Sequence, residues 1–288
     1  MNVFQSTIAA EISFNGIGVH SGKPSNIVLK PALVDHGIVF NRNSNDNKSI
    51  DLKASHQLAG PAQLCTTLHK DGAKVETIEH LMAAISAFEI DNLIIEADND
   101  EMPILDGSAL LFANGIKDIG IKPQDKPRQY IKIIKPVRVE SPNGYAEFIP
   151  DDATVFDITI DFATPAIGKQ HIEFTLECEF FRKNIAPART FGFLKDAEIL
   201  QKKGLALGSS LENSLVIGHD DEILNAEGKL FEDEFVRHKA LDAIGDVALL
   251  GQPFIGRFKS MRGGHALNGA AVKALLSNQS AYEIASLL

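Results

Sequence analysis

FEDEFVRHKALDAIGD, residues 231–246, has the composition of a buried helix, yet it carries three polar side chains in register. His238, Asp242 and Asp246 follow one another at steps of four residues, which places them on one helical face. Apolar residues flank that face on both sides: Phe231, Phe235, Leu249, Val236, Ala240, Ala243 and Val247. Buried polar groups are costly unless they are hydrogen-bonded, ion-paired or bound to a metal. The stretch therefore predicts either a structural hydrogen-bond network or half of a metal site.

Length and composition indicate a large globular protein. The chain has 288 residues, of which 44% are hydrophobic, and this is enough for two domains. The net charge of -10 argues against nucleic acid as a partner. The two cysteines form no CxxC motif, so neither a disulfide framework nor a thiolate zinc site is predicted. Without a signal-peptide pattern or an apolar run of about 18–20 residues, we expect a cytoplasmic monomer with no stable membrane insertion.

The order of strand-like and helix-like segments divides the chain into two similar halves. Each half opens with strand-like runs and then supplies a long helix, predicted at 74–89 in the first half and within 231–246 in the second. A strand is predicted at 91–98. The polar, proline-containing stretch 121–129 is the best linker candidate. Strands grouped before helices favour an α+β fold, with domains at 1–125 and 126–288.

A histidine on the first helix offers a partner for the pair on the second. His80 lies on the face opposite the apolar stripe, among Ala83, Ala84 and Ala87. Small residues on both helices, including Gly245 and Ala248, permit close packing that brings His80 to His238 and Asp242. Two histidines and one carboxylate with an open fourth position are typical of catalytic zinc. The spacing HxxxD also arises by chance, and a histidine among alanines is often only a tolerated polar residue.

Two further residues fit proton transfer in hydrolysis. Glu79 stands beside His80, where a carboxylate can act as general base, although a solvated helix carboxylate is the simpler interpretation. His265 follows two glycines in SMRGGHALN (260–268), and a carboxylate such as Asp246 would keep it protonated as a general acid. The alternative is a glycine turn before a helix with an incidental histidine.

Two other stretches are ambiguous. ARTFGF (188–193) places Thr190 among aromatic residues. Its hydroxyl could donate a hydrogen bond to a developing oxyanion. The alternative is an ordinary β-strand in which Phe191 and Phe193 are packed. GIGVHSGK (16–23) contains glycines and a lysine but matches neither GxxxxGK[ST] nor GxGxxG, so it predicts a turn rather than a phosphate loop.

Seven blocks in order carry a resemblance to a known family: GVHSGK, TIEHLMAA, IDNLIIE, PILDGSA, PARTFGF, FEDEFVRHKALDAIGD and GGHALN. Together they resemble the UDP-3-O-acyl-N-acetylglucosamine deacetylases, zinc amidases of lipid A biosynthesis, from about residue 5 to about residue 270. The resemblance implies two α+β domains, each a sheet backed by helices, with the helix layers packed face to face. It also implies hydrolysis of the acetamide of UDP-3-O-[(3R)-3-hydroxyacyl]-N-acetylglucosamine, giving acetate and UDP-3-O-acyl-glucosamine.

The resemblance assigns chemical roles residue by residue. His80, His238 and Asp242 would bind Zn²⁺, while Glu79 would be the general base and His265 the general acid. Thr190 would donate a hydrogen bond to the oxyanion. Lys239 would stabilise charge beside a metal ligand, and Asp246 would orient the general acid.

The resemblance also implies contacts with the substrate. The UDP moiety would contact Asp161, Phe162, Lys203 and Gly264, and the sugar would lie near Cys65. The acyl chain would pass Phe191, Phe193 and GLALGSS (204–210). The chain departs from relatives at Arg262, where lysine is frequent, and at Ser209, where glycine is frequent. These departures predict a different phosphate contact and a narrower acyl passage.

Two other functions compete with this one. The first is a non-catalytic protein that binds a nucleotide sugar and holds a structural zinc. Structural zinc usually has four protein ligands, whereas the predicted set has three, and Glu79, Thr190 and His265 would then have no role. The second is a zinc amidase that acts on a different acylated amine, such as a peptide.

Overall fold

A computed structural model describes residues 2–43, 49–61 and 64–287. Its sheets are backed by helices, so the predicted α+β fold is confirmed. Within these ranges, every helix is too short or too polar to cross a membrane.

The first half of the chain is built mainly of strands. In its described part the elements are β1 (Phe4–Ile8), β2 (Ile12–Ile17), β3 (Pro24–Pro31), β4 (Ile38–Asn43), β5 (Ser49–Lys53), β6 (Thr67–Lys70), β7 (Ala73–Glu76), α1 (Glu79–Ala87), β8 (Leu93–Ala97), α2 (Leu110–Ile119) and β9 (Ile121–Pro127). One sheet has the order β2-β3-β8-β4-β5, with β4 and β8 parallel and the other neighbours antiparallel. Buried residues alternate with more exposed ones along β3, and partly buried residues alternate with exposed ones along β2, as expected for strands with one face on the core.

The second half repeats the plan with a larger sheet. Its described elements are β10 (Gln129–Ile133), β11 (Val137–Ser141), β12 (Gly144–Ile149), β13 (Thr154–Asp161), β14 (Lys169–Thr175), α3 (Cys178–Phe180), β15 (Phe191–Phe193), α4 (Leu194–Lys202), β16 (Leu215–Ile217), α5 (Glu234–Val247), β17 (Phe254–Met261), α6 (His265–Ser277) and β18 (Tyr282–Ser286). The sheet runs β11-β12-β17-β10-β18, and β13 joins it through β17 while β14 pairs with β13.

Helices α1 and α5 pack against each other where the two halves meet. Gly245 makes the contact possible, because a Cβ atom there would lie 2.0 Å from the carbonyl oxygen of Glu79. Every residue of α1 except Ser86 is buried, and α5 is buried around most of its circumference. The polar face of 231–246 is therefore enclosed between two helices, as the small residues on both predicted.

Two sequence predictions need correction. The first helix begins at Glu79 rather than at residue 74, because Lys74–Glu76 belongs to β7, and Thr77 has a left-handed backbone (φ 58°) that ends the strand before the helix. The predicted linker is wrong as well, because most of 121–129 forms β9, which pairs antiparallel with β1. Prolines are tolerated in such a two-stranded ribbon because their missing N–H groups can face outward.

The main sheets still separate along the chain. The sheet containing β2 uses residues before 98, and the sheet containing β17 uses residues after 128. We propose on this ground that 1–125 and 126–288 are the two domains.

Candidate metal centre and active site

His80, His238 and Asp242 come together between α1 and α5 as a group that could hold a metal ion. One nitrogen or oxygen from each lies within 4.8 Å of the others, and all three residues are buried. Nε2 of His238 lies 3.3 Å from Oδ1 of Asp242, and Nε2 of His80 lies 3.8 Å from the same oxygen. Ligands about 2 Å from a tetrahedral zinc lie roughly 3.3 Å apart, so little adjustment would close the set around an ion.

The hydrogen bond of His238 fixes which ring nitrogen is available. Nδ1 of His238 lies 3.0 Å from the carbonyl oxygen of Ala188, which can only accept, so Nδ1 carries the hydrogen. Nε2 then presents a lone pair toward the carboxylate oxygen of Asp242. Two acceptors facing each other in a dry site repel unless a cation lies between them.

The ionisation of the group also suits a cation. Burial, reinforced by His238, lowers the pKa of His80 to about 3, and burial lowers the pKa of His238 as well. Both imidazoles are therefore neutral at neutral pH, as metal ligands must be. Burial opposes ionisation of Asp242, but His238 and Lys239 hold the pKa of that carboxyl well below its ordinary value. The residues present thus fit a divalent cation.

A second group of possible ligands does not resemble this one. Asp157, His171 and Glu173 also lie close together, but only Asp157 is buried. Its carboxylate is 3.0 Å from the ammonium of Lys259, and Glu173 is 2.7 Å from Arg257. Cationic side chains already satisfy this group, so we interpret it as a surface ion-pair network.

Glu79 and His265 face each other beside the metal group. Oε1 of Glu79 lies 3.7 Å from Nε2 of His265, and Oε2 accepts a hydrogen bond from the backbone N–H of Thr66 at 3.0 Å. Glu79 is the first residue of α1, directly before His80, and only 3% of its surface is exposed. Burial raises the pKa of Glu79 to about 7, although His265 opposes this shift. A carboxylate with a pKa near neutrality is suited to proton transfer.

Asp246 holds the opposite edge of the His265 ring. Nδ1 of His265 is 3.0 Å from both carboxylate oxygens of Asp246, which also accept from the hydroxyl of Thr66 and from the side-chain amide of Asn268. Burial lowers the pKa of His265, but Asp246 and Glu79 overcome this and raise it to about 10. His265 is the first residue of α6, and Asp246 offsets the unfavourable helix dipole there.

Lys239 contacts the metal group directly, whereas Thr190 lies two positions after Ala188, whose carbonyl oxygen accepts from His238. The ammonium of Lys239 donates to Oδ2 of Asp242 at 2.8 Å, which leaves Oδ1 directed at the histidines. Thr190 directly precedes β15, and its N–H donates to the carbonyl oxygen of Gly107 at 2.7 Å. The neighbouring Arg189 is paired with the fully buried Glu234. These contacts fix the segment that supplies both the Thr190 hydroxyl and the Ala188 carbonyl.

Several residues expected to contact the substrate are continuous with this site. Phe191 has its ring centroid 6.1 Å from that of His238 and 5.9 Å from that of Phe162, in edge-to-face geometry. Gly264, just before His265, lines a small cavity with Lys239 and Asp242. Cys65 is buried beside Thr66, and burial raises the pKa of its thiol to about 12.

Other expected contacts lie toward the periphery. Arg262 donates to Asp161 at 2.7 Å, and both side chains are partly exposed. Phe193 ends β15, with its ring centroid 5.3 Å from the ammonium of Lys195. Lys203 is exposed just beyond α4 and makes no side-chain hydrogen bond or ion pair with the described residues. The structure therefore does not connect Lys203 to the other predicted residues.

The two glycine-containing motifs from different halves meet each other. Leu207 and Gly208 of GLALGSS donate backbone hydrogen bonds to His20 and Val19 of GIGVHSGK, each at 3.0 Å. A Cβ atom on Gly208 would lie 2.3 Å from the carbonyl oxygen of Gly18, so only glycine permits this approach. The segment expected to line the acyl passage thus rests on the first half of the chain. Ser209 lies 3.2 Å, hydroxyl to hydroxyl, from Ser214.

Sequence reasoning missed the residues that support the predicted ones. Thr66 contacts Asp246 across 180 positions of the chain, and no local spacing signals such a contact. The role of the Ala188 carbonyl could not be predicted from the sequence either, because every residue has a backbone carbonyl. Asn268 was detectable, since it follows His265 by three residues on one helix and therefore shares its face.

Comparison with known proteins identifies the family of the chain. Residues 5–277 match the family model described as UDP-3-O-acyl N-acetylglycosamine deacetylase. The chain is 51% identical over 284 residues to the UDP-3-O-acyl-N-acetylglucosamine deacetylases of Brucella ovis, Brucella abortus and Brucella melitensis, covering 99% of this chain and 99% of each relative. The match to the family model covers both halves of the chain. The chain belongs to the UDP-3-O-acyl-N-acetylglucosamine deacetylase family.

Proposed function

We propose that the protein is a zinc-dependent amidohydrolase that removes acetate from UDP-3-O-[(3R)-3-hydroxyacyl]-N-acetylglucosamine in lipid A biosynthesis. The observation that carries the proposal is the meeting of two histidines and a carboxylate with a separate carboxylate–histidine pair, Glu79 and His265, 3.7 Å apart. A three-residue set leaves a coordination position open, as hydrolytic zinc sites require. The family and the names of the relatives support the same substrate.

In this proposal His80, His238 and Asp242 hold the metal. A zinc ion in this set supplies Lewis acidity toward the acetamide carbonyl and the attacking water. Glu79 then takes a proton from that water, because its carboxylate is fixed by the Thr66 amide and directed at the site.

His265 completes the reaction by protonating the departing nitrogen. An amine leaves poorly unless it is protonated, so a base alone is insufficient. Asp246 keeps the imidazole cationic and binds Nδ1, so Nε2–H is the hydrogen available for transfer. The tetrahedral oxyanion is stabilised by the hydroxyl of Thr190 and the ammonium of Lys239.

The proposed substrate contacts rest on the family resemblance. The UDP moiety would contact Asp161, Phe162, Lys203 and Gly264, and one of its phosphates would contact Arg262. Cys65 would lie by the sugar, where its high thiol pKa keeps it neutral. The acyl chain would follow Phe191, Phe193 and residues 204–210. A cytoplasmic location and a monomeric state remain predictions.

One experiment tests the proposal directly. Purified protein is incubated with the UDP-linked substrate, and acetate is measured before and after a chelator and again after zinc is restored. We expect acetate release that stops with the chelator and returns with zinc. Tight substrate binding without acetate release would instead support the non-catalytic nucleotide-sugar-binding protein. Release of acyl groups from peptide amines but not from the UDP sugar would support the other amidase.

A further inference from the structure

Thr66 contacts both halves of the proton-transfer apparatus. Its backbone N–H donates to Oε2 of Glu79 at 3.0 Å, and its hydroxyl donates to Oδ1 of Asp246. The same hydroxyl oxygen lies 3.3 Å from Nδ1 of His265. One residue therefore touches the general base, the general acid and the carboxylate that orients the acid.

The position of Thr66 in the fold makes these contacts rigid. It is 5% exposed and directly precedes β6, while Glu79 opens α1, Asp246 lies on α5 and His265 opens α6. These elements come from both halves of the chain, so Thr66 ties the first half to the second at the reacting groups.

The Thr66 hydroxyl helps to fix the orientation of the Asp246 carboxylate. The carboxylate of Asp246 can accept several bonds, and it receives them from Thr66, Asn268 and His265. Because the amide of Asn268 binds Oδ2, removal of the Thr66 hydroxyl would leave Oδ1 with His265 as its partner among the described residues. The carboxylate could then rotate and carry the imidazole with it.

We propose that Thr66 is a positioning residue that holds Glu79 and the Asp246–His265 pair in one reactive arrangement. This inference rests on the proposed deacetylase function. Thr66 acts through Asp246 with its hydroxyl and on Glu79 with its backbone, and it takes no proton itself. Residues that orient a reacting group in this way typically contribute about 10–100-fold to activity.

The neighbouring Thr67 provides a matched control. It is the same residue type, also 5% exposed, but its hydroxyl has no hydrogen-bond partner among the described residues. Thr66→Val and Thr67→Val each exchange one buried hydroxyl for a methyl group of similar size. A general effect of the exchange on β6 would therefore appear in both variants.

The test measures kcat, KM for the UDP-linked substrate and bound metal for both variants and for Thr66→Ser. We expect Thr66→Val to lower kcat by about 10–100-fold with KM and metal content unchanged. Thr66→Ser, which restores the hydroxyl, should recover most of the activity, and Thr67→Val should match the wild type. Should Thr66→Val fail to fold, Thr66→Ala takes its place with the same expectations.

A double-variant comparison tests whether the effect passes through Asp246. In an Asp246→Asn background the Thr66→Val exchange should have little further effect, because the carboxylate it orients is gone. An equal loss in both backgrounds, an unchanged kcat, or a loss proportional to lost metal would each overturn the inference. A wild-type protein that releases no acetate would instead overturn the proposed function, so the two failures are distinguishable.

Discussion

Asp242 and Asp246 are the same residue type, one turn apart on α5 and at most 3% exposed, yet they have opposite surroundings. Asp242 directs Oδ1 at the nitrogens of two neutral histidines and gives only Oδ2 to a donor, Lys239. Asp246 is instead surrounded by donors. The first arrangement fits a divalent cation between the three side chains, whereas the second satisfies its carboxylate with protein donors alone.

We name two clusters after their roles in the proposed function. The metal cluster comprises His80, His238 and Asp242, and the proton-transfer cluster comprises Glu79, His265 and Asp246. Each cluster draws on both halves of the chain. The role of a buried carboxylate is thus indicated by its hydrogen-bond and ionic partners rather than by its position on a helix.

The largest expected effect comes from removing a metal ligand. Single variants His80→Ala, His238→Ala and Asp242→Ala should lose bound zinc and lower acetate release by at least about 10³-fold, because Lewis acid catalysis contributes several kcal/mol. Metal analysis of the purified proteins and an acetate assay check this. His171→Ala, in the surface ion-pair network, is the control and should change neither. Full zinc occupancy in all three ligand variants would show that these residues do not hold the metal.

The next largest effect should come from the proton-transfer cluster, with zinc retained. Glu79→Gln and His265→Ala should each lower kcat by about 10²–10⁴-fold. Near-normal turnover in both, with zinc bound, would contradict the division into clusters.

The wild-type pH–rate profile should be bell-shaped, because Glu79 must be ionised and His265 protonated. Activity falls as pH drops through the pKa of Glu79, about 7, and as pH rises through the pKa of His265, about 10. A bound cation moves both limbs to lower pH, because it disfavours protonation nearby. If the Glu79→Gln variant lacks the acidic limb of the profile, that limb is assigned to Glu79. Because Glu79 and His265 interact, the apparent pKa values belong to the pair.

A smaller effect is expected for Asp246→Asn. The exchange removes the charge that favours the imidazolium, so the pKa of His265 falls and the basic limb should move down by roughly 1–3 pH units. Turnover at neutral pH should decrease about 10–100-fold while zinc remains bound. Loss of zinc would make Asp246 part of the metal cluster, and an unchanged profile with normal turnover would make it structural.

The last prediction concerns stability rather than turnover, because Gly245→Ala tests the packing that both clusters share. The added Cβ would lie 2.0 Å from the Glu79 carbonyl oxygen, so α1 must shift, and overpacking costs about 1–3 kcal/mol of unfolding free energy. Gly269→Ala on α6 is the control, because a Cβ there meets no atom within 4 Å and should be neutral or stabilising. Denaturant unfolding of both variants measures the difference, and equal stability would refute the close-packing argument.

Those parts of the site that depend on local spacing could be predicted from the amino-acid sequence. Steps of four residues put His238, Asp242 and Asp246 on one face of α5, because a helix turns once in 3.6 residues. Small residues around His80 and at Gly245 indicated where the two helices could touch. The α+β class followed from the order of strand-like and helix-like segments.

The division of these residues into two clusters depends on long-range contacts in the folded protein. Helix spacing treats Asp242 and Asp246 alike, and they differ because Lys239 and two histidines meet one while Thr66, Asn268 and His265 meet the other. The start of α1 at Glu79 and the pairing of β9 with β1 were likewise set by strand contacts. Such partners lie up to 180 positions apart in the chain. A local sequence pattern cannot predict these contacts, because the two residues meet only when the whole core packs.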